Sequence, residues 1–171
     1  SGPFSINVSD ARNSVKTTLD IMRKYKLISD YYSVNIHKNI PVFAGLGGGT
    51  SNAATIIQNL TNKKIKKKLL NKISDKIGSD LILFFYKCGY LSNIRIINKI
   101  KYKYKLYFFL IFPNVKCSSK QVYSKLKNYS KKASYSMKEF STKSKFVRII
   151  KDSKNDLQSI VEKHHPIIKK V

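Results

Sequence analysis

Acidic residues are scarce in this chain: 9 Asp and Glu stand against 34 Lys and Arg over 171 residues, a formal net charge of +25. Arginine is scarce as well, since only Arg12, Arg23, Arg95 and Arg148 carry a guanidinium and the remaining positive charge is lysine. Base reading in a groove leans on arginine forks, and single-strand binding leans on aromatics facing a basic channel. Here the Tyr and Phe residues fall mostly inside apolar runs that read as core, and the joint excess of Lys, Ile, Asn, Tyr and Phe is what AT-rich coding produces. The charge therefore reads as a solvated surface that attracts nucleotides as a by-product, with no dedicated nucleic-acid partner; a basic nucleic-acid-binding module is the competing reading. Cysteine is limited to Cys88 and Cys117, too far apart in sequence and too few for a disulfide framework or a metal cluster. Long hydrophobic runs are missing, because the longest, Leu106 to Phe112, falls well short of a membrane span. No charged and then apolar leader precedes the first helical pattern. These absences lead to the expectation of a cytoplasmic protein with no membrane partner. No internal repeat is present.

Glycine is also sparse, yet four of the seven glycines, Gly45, Gly47, Gly48 and Gly49, fall within five positions. They sit in Pro41 to Ala54, PVFAGLGGGTSNAA, where Leu46 interrupts the run and Thr50, Ser51 and Asn52 follow it. Residues without a Cβ let backbone N–H groups turn toward a ligand, and a following helix adds unpaired donors and the positive end of its dipole. Ala53, Ala54, Ile57 and Leu60 recur at helical spacing, so a buried helix face begins directly after the loop. No capping-box Glu or Gln closes that helix start. The pattern predicts a phosphate cradle rather than a plain turn. It is not a Walker loop, because no Gly-Lys-Ser/Thr follows, and a GxGxxG begun at Gly45 would end on Thr50.

Along the chain, Val15, Leu19 and Met22 mark one face of a helix from Asn13 to about Lys26, opened by Ser9, Asp10 or Asn13. Tyr32, Val34 and Ile36 alternate with polar residues as in a half-buried strand leading to Lys38, and His37 is solvated on its polar side. Leu69, Leu70, Ile73 and Ile77 supply a further helix face behind a lysine-rich lead-in, stopped by Gly78. Asp80 follows at once, before the apolar stretch Leu81 to Phe85, and is either a cap or a site residue. Tyr90 to Ile100 reads as strands or a bent strand. Leu106 to Phe112 reads as the buried half of a strand halted by Pro113. Ser118 and Ser119 can cap a helix over Lys120 to Asn128, Tyr129 to Tyr135 reads as a surface connection, Met137 to Ile150 suggests more helix, and another begins at Asn155. His164 and His165 are adjacent and lack metal-pair spacing; Pro166 kinks or restarts the helix.

The segment PVFAGLGGGTSNAA resembles the second motif of the GHMP small-molecule kinases. SGPF at Ser1 to Phe4, Gly78-Ser79-Asp80, Lys116 to Tyr123 and Asn155-Asp156-Leu157 resemble further stretches of that family in the same order. The resemblance implies an α+β two-layer fold, with a ribosomal-protein-S5-domain-2-like part over 1–104 and the start of a ferredoxin-like part over 105–171. It implies further that both ends of the family's sequence lie outside these 171 residues, including a lysine-bearing first segment. It implies a kinase, a transferase using ATP and Mg²⁺, whose branch acts on a cytidyl diphosphate sugar alcohol in the non-mevalonate route to isoprenoid and terpenoid precursors; homoserine- or mevalonate-type acceptors are the alternatives. Nucleotide binding would fall to Pro41, Val42, Phe43, Ala44, Gly45, Leu46, Gly47, Gly48, Gly49, Thr50 and Ser51. Asp80 matches the catalytic aspartate, and Thr50 or Ser51 would place a hydroxyl near the metal. Two departures bear on Asp80: Ser79 stands in place of an alanine and Ile82 in place of a proline.

Overall fold

The computed structural model describes residues 1–8, 13–93, 95–101, 104–131 and 135–170. They form two compact units, Ser1–Val42 with Leu46–Lys99, and Phe43–Gly45 with Ile100–Val171. Helices and, among the described residues, a single two-stranded sheet make this a mixed α and β chain.

In the first unit, α1 (Ser14–Lys24) starts at Asn13, whose side chain accepts the Val15 N–H at 2.9 Å and so satisfies a donor that the helix cannot. Of the three starts expected from sequence, Asn13 is the cap; Ser9 and Asp10 lie outside the described residues. Val15, Thr18, Leu19 and Met22 turn inward, and Arg23 and Lys24 sit in the last turn, where their charge suits the dipole. Helix α2 (Gly48–Leu60) begins earlier than the apolar spacing indicates, so Gly48 and Gly49 belong to its first turn rather than to a loop. Helix α3 (Lys67–Ile77) ends at Gly78, and a 3-10 segment, Ser79–Phe85, then folds back over α2 and α3 with Leu81 and Ile82 buried. Met22, Ala53, Ala54, Ile57, Leu70, Ile73 and Leu81 form the core. Alanines on α2 let α1 approach closely, and Ile57 fills the space between the helices.

The strand expected over Tyr32 to Ile36 is absent. Residues 31–39 carry no β-ladder and are mostly exposed. They are tied instead to the start of the chain, with Ser1 N donating to Ile36 O at 3.2 Å, Lys38 N to Ser1 O at 2.9 Å and Phe4 N to Lys38 O at 3.2 Å. Alternation specifies a face but not a neighbour, and this short irregular partner cannot sustain a ladder. The strands expected over Tyr90 to Ile100 are present as an antiparallel hairpin of β1 (Gly89–Asn93) and β2 (Ile96–Lys99), with Tyr90 opposite Asn98.

In the second unit, Leu106 to Phe112 is not a buried strand. Phe109 is fully exposed at 101% and Tyr107, Phe108, Leu110 and Ile111 are exposed as well. Among the described residues no segment pairs with it, and a strand without a partner has no ladder to hold it. Helix α4 (Ser119–Ser124) stops short of the expected Asn128: Ser118 makes no side-chain cap bond, and a helix this brief gains little on its own. A capping box of Ser136 and Glu139 opens the 3-10 turn Met137–Phe140, and Thr142 caps α5 (Lys143–Asp152). Phe140 is buried, its carbonyl accepts the Tyr104 hydroxyl at 2.8 Å, and its ring meets that of Phe146 at 6.0 Å. Helix α6 (Gln158–His164) starts after the expected Asn155, which instead accepts the Leu157 N–H at 3.1 Å; Pro166 opens α7 (Pro166–Lys169). Asp156 accepts from both the hydroxyl and the N–H of Ser130.

Two outcomes follow from this packing. Ile57→Ala leaves a void in the centre of the first unit and lowers its stability by about 2–4 kcal/mol in a denaturant titration. The Ser130 hydroxyl, then its N–H, hold the Asp156 carboxyl below its ordinary value of 3.8. Because that group is depressed in the folded state, its contribution is present above the ordinary value and is lost as pH falls through the folded one. Ser130→Ala raises the Asp156 midpoint in an NMR carboxyl titration; an unmoved midpoint contradicts the assignment.

Candidate functional site

The glycine segment places the open end of α2 in the first unit. Gly47 caps the helix in the left-handed region at φ 66°, which glycine adopts without the Cβ penalty, and no side chain closes the cap. The helical ladder starts with Ser51 N donating to Gly47 O at 2.8 Å. The N–H groups of Gly48, Gly49 and Thr50 precede it, and among the described residues none of them donates to the protein. The first turn holds no acidic residue. From α1, the Ser14 hydroxyl donates to Gly49 O at 2.9 Å and fixes this turn against the core.

A residue that sequence reasoning passed over completes the electrostatics. Lys38 is buried, with 8% of its surface exposed. A Cβ built on Gly48 would lie 3.1 Å from its Nζ, so the ammonium stands at the helix mouth, and a side chain at position 48 would crowd it. Among the described residues Lys38 has no ion pair or side-chain hydrogen bond. A cation and the positive end of a helix dipole thus act in the same direction at this turn, and both favour negative charge. The missed signal was parity: Lys38 continues the apolar positions Tyr32, Val34 and Ile36. Beside it lies an open cavity of about 470 Å³ lined by Ser5, Val8, Asn13, Ser33, Ile36 and Lys38, among others.

Asp80 is the second residue of the 3-10 segment, exposed, with the Ser79 hydroxyl 3.4 Å from its carboxylate. The capping alternative has no bond to support it, because Gly78 occupies the cap position and no side-chain cap bond is made. Three contacts hold the turn: Leu81 N donates to Gly78 O at 3.1 Å, Ser74 Oγ donates to the same oxygen at 3.1 Å, and Gln58 Nε2 donates to Phe84 O at 2.8 Å. A Cβ on Gly78 would lie 3.9 Å from Thr50 Oγ1, so the turn bearing Asp80 abuts the first turn of α2. The first unit thus brings together Leu46 to Ser51, Lys38 and the turn of Asp80, and also holds Pro41 and Val42. Phe43, Ala44 and Gly45 group with the second unit, where Phe43, at φ 62°, accepts the Cys117 N–H at 3.0 Å. A larger open cavity of about 590 Å³ in the second unit, around Ser130, Asp156 and Glu162, contains none of the residues expected to form the site.

Residues 13–88, which hold Lys38, the glycine segment and Asp80, match the GHMP kinases N terminal domain. The whole chain is similar to a 4-diphosphocytidyl-2-C-methyl-D-erythritol kinase of Pelagibacter ubique, 34% identical over 175 residues that cover 99% of this chain and 61% of the relative. The kinase of the same name from Sulfurihydrogenibium sp. is 37% identical over 126 residues, covering 70% of this chain and 45% of the relative. A chloroplastic one from Arabidopsis thaliana is 31% identical over 125 residues, 69% of this chain and 33% of the relative. The chain thus spans about three fifths or less of the length of these relatives. No solved structure matches it. With a domain match centred on the open helix end and relatives aligned along the chain's full length, the chain belongs to the GHMP kinase family.

Proposed function

We propose that this chain handles the nucleotide in an ATP-dependent kinase that phosphorylates the 2-hydroxyl of 4-diphosphocytidyl-2-C-methyl-D-erythritol, in the non-mevalonate route to isoprenoid precursors. The observation that carries the reading is the open amide end of α2 with the Lys38 ammonium beside it, which makes no ion pair among the described residues. Terminal phosphates of ATP would accept from the N–H groups of Gly48, Gly49 and Thr50 and face Lys38, and the cavity beside Asn13 and Lys38 would take the nucleoside. The finer fold belongs to the same proposal, with 1–104 as the nucleotide-binding domain and 105–171 as the start of a ferredoxin-like one.

In the reaction, the acceptor oxygen bonds to the γ-phosphorus as the bond from that phosphorus to the β–γ bridging oxygen breaks, and ADP departs. The hydroxyl proton would go to the Asp80 carboxylate, two residues after Gly78, whose missing Cβ would lie 3.9 Å from Thr50 Oγ1. Among the described residues no cluster of three or more His, Cys, Asp or Glu side chains forms a metal cage. Mg²⁺ takes one or two protein oxygens and completes its shell with phosphates and water. The Thr50 or Ser51 hydroxyl and Asp80 would hold it, and the ion would neutralise charge on the transferred phosphoryl group.

Release of ADP on mixing the protein with ATP and the cytidyl substrate tests the reading; turnover with homoserine or mevalonate instead would reassign the acceptor. Asp80→Asn keeps nucleotide affinity and lowers turnover about 100-fold or more, read by steady-state kinetics. An unchanged rate removes Asp80 from the chemistry. Gly48→Val drives a side chain into the Lys38 ammonium and abolishes ADP binding in calorimetry. Affinity equal to the unaltered protein would remove the cradle.

A further inference from the structure

Lys38 has an ammonium in a defined place although the backbone around it has no regular structure. Residues 29–40 contain no helix or strand, so whatever anchors them fixes the reach of Lys38. Among the described residues, their backbone hydrogen bonds all run to the first turn of the chain: Ser1 N to Ile36 O, Lys38 N to Ser1 O and Phe4 N to Lys38 O. Gly2 lies in the middle of this contact. Its φ is +97°, and a Cβ built on it would fall 2.5 Å from Lys38 N and 2.7 Å from Lys38 O. Both neighbours are main-chain atoms, so no flexible side-chain tip can swing aside.

Gly2 cannot retreat either. Its own carbonyl accepts the Ser5 N–H at 3.1 Å and the Ser5 hydroxyl at 2.7 Å, which pins it on the opposite side. A substituent at position 2 must therefore push the 36–38 backbone outward. At the far end of the same residue, Lys38 Nζ sits 3.1 Å from the missing Cβ of Gly48, and Ile40 carbons lie 3.5 and 3.6 Å from that same point. Displacement of the Lys38 backbone by a few tenths of an ångström or more withdraws the ammonium from the helix mouth.

We infer that Gly2 is a positioning residue: by allowing main chain to touch main chain at Lys38, it sets the ammonium where the phosphates of a bound nucleotide lie. This rests on the nucleotide reading above. Gly2 touches no reacting atom and acts only through Lys38.

The test is a double-mutant cycle on ADP affinity in the protein, read by calorimetry, with Gly2→Ala, Lys38→Met and the pair, each variant also followed by thermal melting. Gly2→Ala weakens ADP about tenfold when Lys38 is present and less than about twofold when position 38 is Met, because residues acting through one contact are not additive. The salt dependence of ADP binding falls in Gly2→Ala as it does in Lys38→Met, since both take a charge away from the phosphates. A melting temperature lowered without these two signatures marks Gly2 as merely structural and overturns the inference. Equal losses in both backgrounds, or ADP affinity unchanged in Gly2→Ala, overturn it too. Gly2→Asn repeats the cycle with a side chain that tolerates positive φ, which separates the clash from backbone strain and keeps the test open if the alanine variant does not fold. Failure of the unaltered protein to bind ADP overturns the nucleotide reading and this inference together, whereas binding with additive effects overturns the inference alone.

Discussion

A lysine ammonium set against the positive end of a helix is the constraint around which the first unit is arranged. The dipole of α2 places about half a positive charge at the same spot, and like charges repel. Among the described residues neither a carboxylate in the first turn of α2 nor an ion pair to Lys38 offsets this. The surrounding packing holds the two together nonetheless. Ala53, Ala54 and Ile57 fix α2 against Met22 on α1, the Ser14 hydroxyl ties α1 to the Gly49 carbonyl, and Gln58 ties the 3-10 segment to α2. Because the core residues of α2 begin one turn after its glycines, the face that anchors the helix also sets the rotation of its free N–H groups. A dianion is the complement of such an arrangement, and it recovers interactions that the protein alone leaves unmade.

What could be read in advance and what could not divides along a physical line. The three helices of the first unit were legible because Val15, Leu19 and Met22, then Ala53, Ala54 and Ile57, then Leu70 and Ile73 repeat at a period that a helix satisfies within itself. Tyr32 to Ile36 and Leu106 to Phe112 carry equally clear patterns for strands, yet neither forms a ladder among the described residues. A strand's hydrogen bonds belong to another segment, and no local pattern names that segment. The glycine run was legible as an open helix start, but its division into a left-handed cap at Gly47 and a first helical turn at Gly48 depends on where the core draws α2, which spacing fixes only to within a residue or two.

Lys38 shows the opposite failure. Its charge made it look like one more member of a solvated lysine surface, in a chain where lysine is abundant. Only parity with Tyr32, Val34 and Ile36 marked it, and a lysine on an apolar face usually extends its head to water. Here most of its surface is covered, and its backbone lies against Gly2. Asp80 was legible as a cap or a site residue, and the turn bears on the first of these alone: Gly78 holds the cap position and no side-chain cap bond is made.

The excess of lysine bears on function in a different way from Lys38. Among the described residues all three ion pairs, Arg23 with Asp20, Arg95 with Asp75 and Arg148 with Asp152, use arginine and are partly or largely exposed, so they contribute little beyond about 1 kcal/mol each. Surface lysines therefore stand as free charge and draw any polyanion, nucleotide or nucleic acid alike, with a reach of about 8–10 Å at physiological salt. Such a field does not discriminate. In the second unit the rings of Tyr104, Tyr135, Phe140 and Phe146 pack on one another, while Tyr107, Phe108 and Phe109 are exposed. Discrimination in favour of a compact phosphate group requires donors that act at contact distance and are shielded from salt. Main-chain amides at α2 are donors of that kind and the exposed lysines are not; on the proposed reading the general charge would gather anions, and the local geometry would select among them.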